Sequence, residues 1–108
     1  QIKVVDDQVG CPTYTVDLAG CMVNLAEKDC RGIYHFCNGP QCSWFDLACE
    51  IVAQASLDCE VLPCASDEYP TKAKRPGYSV LDVSRTVEVI GKIRSWQECL
   101  KEYLQSKK

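Results

Sequence analysis

The chain has 108 residues, a length that fits one domain and is too short for two. Hydrophobic residues make up 46% and charged residues 25%, which is typical of a globular protein and excludes a disordered chain. The net charge of −3 argues against a general binder of nucleic acid or of anionic membranes. No apolar run approaches the roughly 20 residues of a membrane span. A domain of this length can bury a core without metals or disulfides.

The first forty residues predict two strands separated by a helix. Residues 2–5 are β-branched and apolar and predict a strand, and residues 6–12 predict a loop. Residues 15–28 predict a helix because apolar residues recur three and four apart, namely Leu18, Cys21, Met22 and Leu25. Residues 33–37, Ile-Tyr-His-Phe-Cys, predict the second strand, and residues 38–40 a turn.

Two serines mark the starts of helices in the rest of the chain. Ser43 and Asp46 have the spacing of a capping box, and a helix with one apolar stripe follows. Ser95 and Glu98 predict a full capping box before the last helix, whose buried face is Cys99, Leu100, Tyr103 and Leu104. Trp44 and Trp96 each follow one of these serines, and we expect both to pack in the core, with a face where a missing domain docks as the alternative.

The segment between these two helices is less regular. Residues 60–62 predict a third strand, and residues 63–77, with three prolines, an ordered loop. Residues 78–81 predict a short extended piece, and residues 82–90 a short helix that ends at Gly91.

This order of elements predicts a mixed α/β (α+β) unit with about four helices and three to four short strands. Residues 1–108 form a single domain in this interpretation, and the strands are too few for a doubly wound sheet. Because the chain begins at Gln1 inside a predicted strand, we expect it to be a segment of a longer polypeptide.

Nine cysteines are unusual for a chain of this length. Their number is odd, and Cys21, Cys49 and Cys99 fall at apolar positions of predicted helices, where cysteine acts as a small hydrophobic residue. We therefore predict reduced thiols in a cytoplasmic protein rather than a disulfide framework.

A thiol or zinc protein remains a weaker alternative. His35 is the only histidine, and it predicts a packed or edge residue of a strand rather than a base. The chain has no Cys-x-x-Cys pair, although the cysteine pairs at 37 and 42 and at 59 and 64 fall within the spacing that zinc sites allow.

Six collinear stretches resemble one family. They are Val4 to Thr13 (VVDDQVGCPT), Gly32 to Phe36 (GIYHF), Ser43 to Asp46 (SWFD), Glu68 to Pro76 (EYPTKAKRP), Ser79 to Asp82 (SVLD) and Ser95 to Glu98 (SWQE). In this order and at these intervals the chain resembles the C-terminal, substrate-binding part of dTDP-4-dehydrorhamnose reductase, an extended short-chain dehydrogenase. The resemblance covers essentially the whole chain.

The resemblance implies an enzyme of two parts, of which this chain is the second. In the intact family a Rossmann domain binds NADPH and carries the catalytic Ser/Thr and Tyr-x-x-x-Lys, and hydride reaches the C4 carbonyl of a dTDP-linked 4-keto-6-deoxy sugar. No Gly-rich phosphate turn can be built from the six glycines of this chain. The one Tyr-x-x-x-Lys string, from Tyr103 to Lys107, lies in the last helix and not at the catalytic position. We therefore expect no catalytic and no cofactor-binding residue here, and no activity from this chain alone.

Two loops supply the candidate substrate-binding residues. Lys72, Lys74 and Arg75 form a compact cationic cluster suited to a diphosphate, and the resemblance places it beside the nucleotide sugar. The resemblance likewise brings Gln8 and Thr13 to the substrate as hydrogen-bonding groups. A solvated basic loop and a locally satisfied turn are the alternatives.

Two functional hypotheses follow, of different classes. The first is a substrate-binding region that binds a dTDP-linked sugar weakly by itself and requires the Rossmann domain for catalysis. The second is a stand-alone interaction or regulatory module, which the missing domain leaves with an apolar face that favours self-association.

Overall fold

A computed structural model describes residues 1–107 of the chain. Four helices and four short strands confirm the mixed α/β class. In chain order the elements are β1 Ile2–Val5, β2 Val9–Gly10, α1 Thr15–Glu27, β3 Cys42–Ser43, α2 Trp44–Ala55, β4 Val61–Cys64, a single 3₁₀ turn Ser66–Glu68, α3 Ser84–Ile90 and α4 Trp96–Ser106. None of these helices is long and apolar enough to cross a bilayer.

The strands form two separate pairs rather than one sheet. β1 and β4 are parallel, with Ile2 opposite Val61 and Val5 opposite Cys64. β2 and β3 are antiparallel, with Gly10 opposite Cys42. Parallel strands need a crossover connection, and α2, which packs on β1 and β4, lies within the connection between them. The sequence predicted neither β2 nor β3, each of which has only two residues.

The predicted strand at residues 33–37 is wrong, because no strand pairs with it in the part of the chain that the structure describes. The carbonyls of Arg31 and Ile33 instead accept hydrogen bonds from the Arg85 guanidinium at 3.1 and 2.9 Å. Two residues on, the His35 carbonyl accepts one from Thr86 Oγ1 at 2.6 Å. Side chains of α3 thus occupy carbonyls that a neighbouring strand would have used.

The two capping serines differ in the structure. Ser43 forms the predicted capping box, since its Oγ accepts from Asp46 N at 3.1 Å and Asp46 Oδ2 accepts from Ser43 N at 2.9 Å. Ser95 Oγ accepts from Glu98 N, but the Glu98 carboxylate does not return a bond, so the full box predicted there is wrong. The predicted helix at 82–90 begins at Ser84, because Asp82 Oδ1 accepts from Ser84 N in a turn that precedes the helix.

The buried core is thin and rich in thiols. Its hydrophobic members in the described chain are two ordinary core residues and five cysteines: Val5, Trp96, Cys21, Cys37, Cys42, Cys64 and Cys99. The predicted burial of Cys21 and Cys99 is therefore confirmed, whereas Cys49 is half-buried. Met22, in the apolar set of the first predicted helix, and Tyr103, assigned to the buried face of the last, are both exposed.

A buried polar network joins α1, the residue 38 turn and α4. Asn38 is 0% exposed; its Oδ1 accepts from Tyr14 N, and its Nδ2 donates to Asp17 Oδ2 and to the Arg94 carbonyl. Arg94 binds Asp17 through two nitrogens, at 3.1 and 2.6 Å. The Arg94 guanidinium, followed by smaller contributions from the Cys99 thiol and Asn38, holds the pKa of Asp17 below its ordinary value.

The molecule is a flat slab of 48 × 36 × 20 Å. Its radius of gyration is 15.9 Å, whereas a compact domain of this size has about 13 Å. Large apolar side chains are exposed on it, among them Trp44, Tyr69 and Tyr78 at 59 to 64%. Trp44 therefore does not pack in the core as predicted, while Trp96 does.

Candidate functional site

An open cavity of about 850 Å³ lies between β1, β2, the start of α2 and the loop after the 3₁₀ turn. Its size is within the range of small-molecule sites, which are mostly apolar with a few convergent polar groups. The lining follows that description, with Val5, Val9, Trp44, Leu47, Tyr69 and Leu81 as large apolar residues.

Gln8 and Arg75 are the two predicted site residues that line this cavity. They also line an adjoining cavity of about 520 Å³, in which Lys72 and Lys74 join them. The structure thus brings four of the five predicted residues to one continuous surface. The parallel pairing of β1 with β4 explains the meeting, since it places the loops after both strands at the same end.

Thr13 is the predicted residue that the structure places elsewhere. It is exposed and lines neither cavity. The neighbouring backbone explains its position, because the Pro12 carbonyl accepts from Asn38 N and Asn38 Oδ1 accepts from Tyr14 N. These two bonds fix the chain on either side of Thr13 and leave its side chain in solvent.

A local hydrogen-bond cluster holds Gln8. Gln8 Nε2 donates to Ser66 Oγ at 3.0 Å, and the Asp7 carboxylate accepts from both the backbone N and the hydroxyl of Ser66. The Ser66 hydroxyl and amide lower the pKa of Asp7, which therefore stays ionised at neutral pH. Asp7 joins the two loops, and the Gln8 carbonyl oxygen and second amide proton have no hydrogen-bond partner within residues 1–107.

The cationic cluster is not neutralised by the fold. Lys72, Lys74 and Arg75 are exposed, and within residues 1–107 none of them forms an ion pair. Three unpaired positive charges in a chain of net charge −3 are suited to hold an anionic ligand at the mouth of the cavity.

Sequence reasoning missed three thiols and an aromatic residue in the cavity wall. Cys11, Cys37 and Cys42 all line it, and burial, together with the neighbouring Cys37, raises the pKa of Cys11 to about 11. Burial also raises the pKa of Cys42, so the Cys11 and Cys42 thiols stay uncharged at neutral pH and present an apolar surface. Trp44 stands beside them, and its place directly after the capping Ser43 was the one signal in the sequence.

The described residues do not fit a dinucleotide cofactor. A pyrophosphate needs a glycine-rich turn between a strand and a free helix N-terminus. The direct strand–helix junction here is β3–α2, where Ser43 Oγ caps the Asp46 amide and the carboxylates of Asp46 and Asp6 both bind Ser43. Two negative charges at this helix start disfavour a phosphate.

The remaining candidates from the sequence are a metal site, His35 and the Tyr103–Lys107 pair. No group of three or more His, Cys, Asp or Glu side chains there is placed to hold a metal ion. His35 is exposed and lies outside both cavities. Lys107 lies over the ring of Tyr103 at 5.3 Å, at the end of α4 and away from the cavity-lining residues.

An open, mostly apolar cavity edged by cations is typical of a ligand-binding unit. Residues 1–108 match the family model described as the RmlD substrate binding domain. The chain belongs to this family, and the resemblance to dTDP-4-dehydrorhamnose reductase seen in the sequence is confirmed.

Relatives and solved structures agree with this assignment. The chain is 42% identical over 108 residues to the spore coat polysaccharide biosynthesis protein SpsK of Bacillus subtilis, covering 99% of this chain and 38% of SpsK. It superimposes on a dTDP-4-dehydrorhamnose reductase from Clostridium acetobutylicum with a TM-score of 0.92 and 42% identity, over 98% of this chain and 38% of that one. The reductase from Bacillus anthracis, solved in complex with NADP, gives 0.90 and 34%, over 97% and 38%. The chain thus spans little more than a third of the proteins it matches.

Proposed function

We propose that this chain supplies the sugar-nucleotide side of an NADPH-dependent reductase acting on a dTDP-linked 4-keto-6-deoxy sugar. The observation that carries the proposal is the large open cavity with Gln8 and Arg75 in its wall, found in a chain of the RmlD substrate binding domain family. The cationic cluster meets the diphosphate, and the apolar wall meets the deoxy sugar and the base.

Catalysis and cofactor binding belong to the remainder of such an enzyme. The capped and carboxylate-bound start of α2 supports this division. We expect a fluorescence titration of the chain alone with NADPH to show no saturable signal, and saturation at micromolar NADPH would contradict the division.

A chimera tests the proposal directly. The matching segment of the Clostridium acetobutylicum reductase is replaced by this chain, and NADPH oxidation is followed against the concentration of the dTDP-4-keto sugar. Arg75→Ala removes a charge-assisted hydrogen bond worth roughly 1.5–3 kcal/mol, so the KM should rise by about ten- to a hundredfold. Lys101→Ala, an exposed cation on α4, is the matched control.

The outcomes separate the two functional hypotheses. A chimera that turns over and loses substrate affinity only with Arg75→Ala supports the proposal. A folded chimera without turnover favours the interaction module, which the family match does not favour. If Arg75→Ala leaves the kinetics unchanged, the loop that carries Arg75 is a solvated turn that does not contact the substrate.

A further inference from the structure

The wall of the large cavity, the one of about 850 Å³, contains a single side-chain carbonyl group among the described residues. That group belongs to Gln8, and no carboxylate or other side-chain amide lines this cavity within residues 1–107. Lys3 and Arg75 in the same wall can only donate hydrogen bonds. A ligand whose phosphate oxygens meet Arg75 therefore finds in Gln8 the side-chain carbonyl that can accept from its own O–H or N–H groups.

The hydrogen bonds around Ser66 run in one direction. The Asp7 carboxylate is ionised, because the bonds from Ser66 lower its pKa, and an ionised carboxylate can only accept. Ser66 gives its one hydroxyl proton to Asp7 Oδ1, and its backbone N donates to both carboxylate oxygens at 3.0 Å. The Ser66 oxygen is thus left to accept, and it accepts from Gln8 Nε2 at 3.0 Å.

This direction decides which end of the Gln8 amide is available to a ligand. The two ends have nearly the same shape, and only the hydrogen-bond network distinguishes them. Ser66 and Asp7 line the adjoining cavity but not the large one, whereas Gln8 lines both. Because Nε2 is bound to Ser66, the carbonyl oxygen is the end that remains for the large cavity.

We propose that Asp7 is a positioning residue that acts through Ser66 to hold the Gln8 carbonyl oxygen toward the large cavity, where it accepts from a hydroxyl or imide N–H of the sugar nucleotide. The inference rests on the proposed function for the identity of the ligand. With Asp7 and Ser66 in place the site selects a hydrogen-bond donor at this point and rejects an acceptor.

A double-mutant cycle in the chimera tests the positioning role. Gln8→Glu keeps an acceptor for the ligand but brings a second carboxylate to the Ser66 oxygen, whose only proton Asp7 already takes. The KM should therefore rise about tenfold at unchanged kcat. Asp7→Asn alone lets the Gln8 amide turn either way, because the new amide can accept from the Ser66 hydroxyl or donate to it, and should raise the KM about twofold.

The combination of the two changes gives the decisive result. In Asp7→Asn with Gln8→Glu, the Ser66 hydroxyl is free to donate to the new carboxylate, whose second oxygen again offers the ligand an acceptor, and the net charge equals that of the wild type. The KM should return to within about twofold of the wild-type value. Additive effects of the two changes would overturn the proposal, because a merely structural role of Asp7 provides no rescue. Asp58→Asn, an exposed change outside both cavities, is the control for the single charge removal.

Removal of the acceptor locates the donor on the ligand. Gln8→Met has no carbonyl oxygen and should raise the KM about tenfold, and an unchanged KM would overturn the proposal. The inhibition constant of dTDP, measured in the same variant, distinguishes the sources. It rises together with the KM if the donor belongs to the nucleoside, and it stays constant if the donor is a hydroxyl of the 4-keto sugar.

Nuclear Overhauser contacts in the isotope-labelled isolated chain measure the amide orientation without turnover. The Gln8 Nε2 protons should contact the Cβ protons of Ser66, and the contact should weaken in Asp7→Asn. Its absence in the wild type would overturn the proposal even if the chimera oxidises NADPH. A folded chimera without turnover, in a chain that shows the contact, refutes the proposed reaction and leaves the positioning of Gln8 standing.

Discussion

Asn38 is the side chain whose truncation should disturb the fold most. It is fully buried, and its amide joins the start of α1 to the segment before α4. In Asn38→Ala the Tyr14 N–H loses an acceptor at 2.8 Å and the Arg94 carbonyl loses a donor at 3.1 Å. The Asp17 carboxylate loses one of its donors at the same time.

The expected loss of stability follows from these broken bonds. Leaving a buried polar group without a partner costs about 1–3 kcal/mol, and two backbone groups are affected. Entry of water relieves part of that cost, so we expect a loss of about 3 kcal/mol. Native proteins have stabilities of only about 5–15 kcal/mol, which makes this a large fraction of the total.

Urea unfolding followed by Trp fluorescence measures the effect, since Trp96 is buried and its backbone N donates to the Gly39 carbonyl next to Asn38. With a slope of about 1.5 kcal/mol/M, the midpoint should fall by about 2 M. Gln105→Ala, an exposed change on α4, is the control and should stay within about 0.5 kcal/mol. A loss below about 1 kcal/mol for Asn38→Ala would refute the assigned role of the network.

Three further changes test other parts of the molecule. Because Arg94 depresses the pKa of Asp17, the stability from that pair is present above the unfolded pKa of about 3.9 and is lost as the pH falls through the lower folded value. Asp17→Asn should therefore be less stable than the wild type at pH 7, and acid unfolding should show this difference shrink below about pH 4. A difference in stability that does not change with pH would contradict the ion pair. Titration of the denatured, unreduced protein should count close to nine thiols, and a count of one or two would contradict the prediction that the cysteines are reduced. Gly91 ends α3 with φ +87°, so Gly91→Ala should cost roughly 1 kcal/mol of stability and lower the melting temperature. Gly20→Ala, in the open interior of α1, should raise the melting temperature, and the reverse order would refute the argument.

The helices were predictable because their signals are local. The Ser43–Asp46 capping box and the three–four spacing of apolar residues in α1 need only neighbours in the chain. Apolar spacing also predicted burial of Cys21 and Cys99, but not exposure of Met22, because coverage of a helix face depends on which other element packs there.

The β-branched run at residues 2–5 predicted β1 correctly, whereas β2, β3 and the exact site were not predictable from local signals. β2 and β3 have two residues each and exist because Val9 and Ser43, 34 positions apart, meet in space. Residues 33–37 carry the composition of a strand, yet Arg85 and Thr86 take its carbonyls, a contact over 51 residues or more. The cationic loop was found from its charge, whereas the thiols around Cys11 were not, since their meeting depends on the same long-range pairing.

Chemical labelling of the five buried cysteines can report the local opening of the fold. Cys21 and Cys99 lie on different helices, Cys42 and Cys64 on strands of the two separate sheets, and Cys37 follows the extended segment that α3 holds. A thiol reacts with a labelling reagent only when its surroundings open, so each of these positions records the local opening of one element. Mass spectrometry of alkylated peptides can then follow this local opening element by element in the wild-type chain, without an introduced probe.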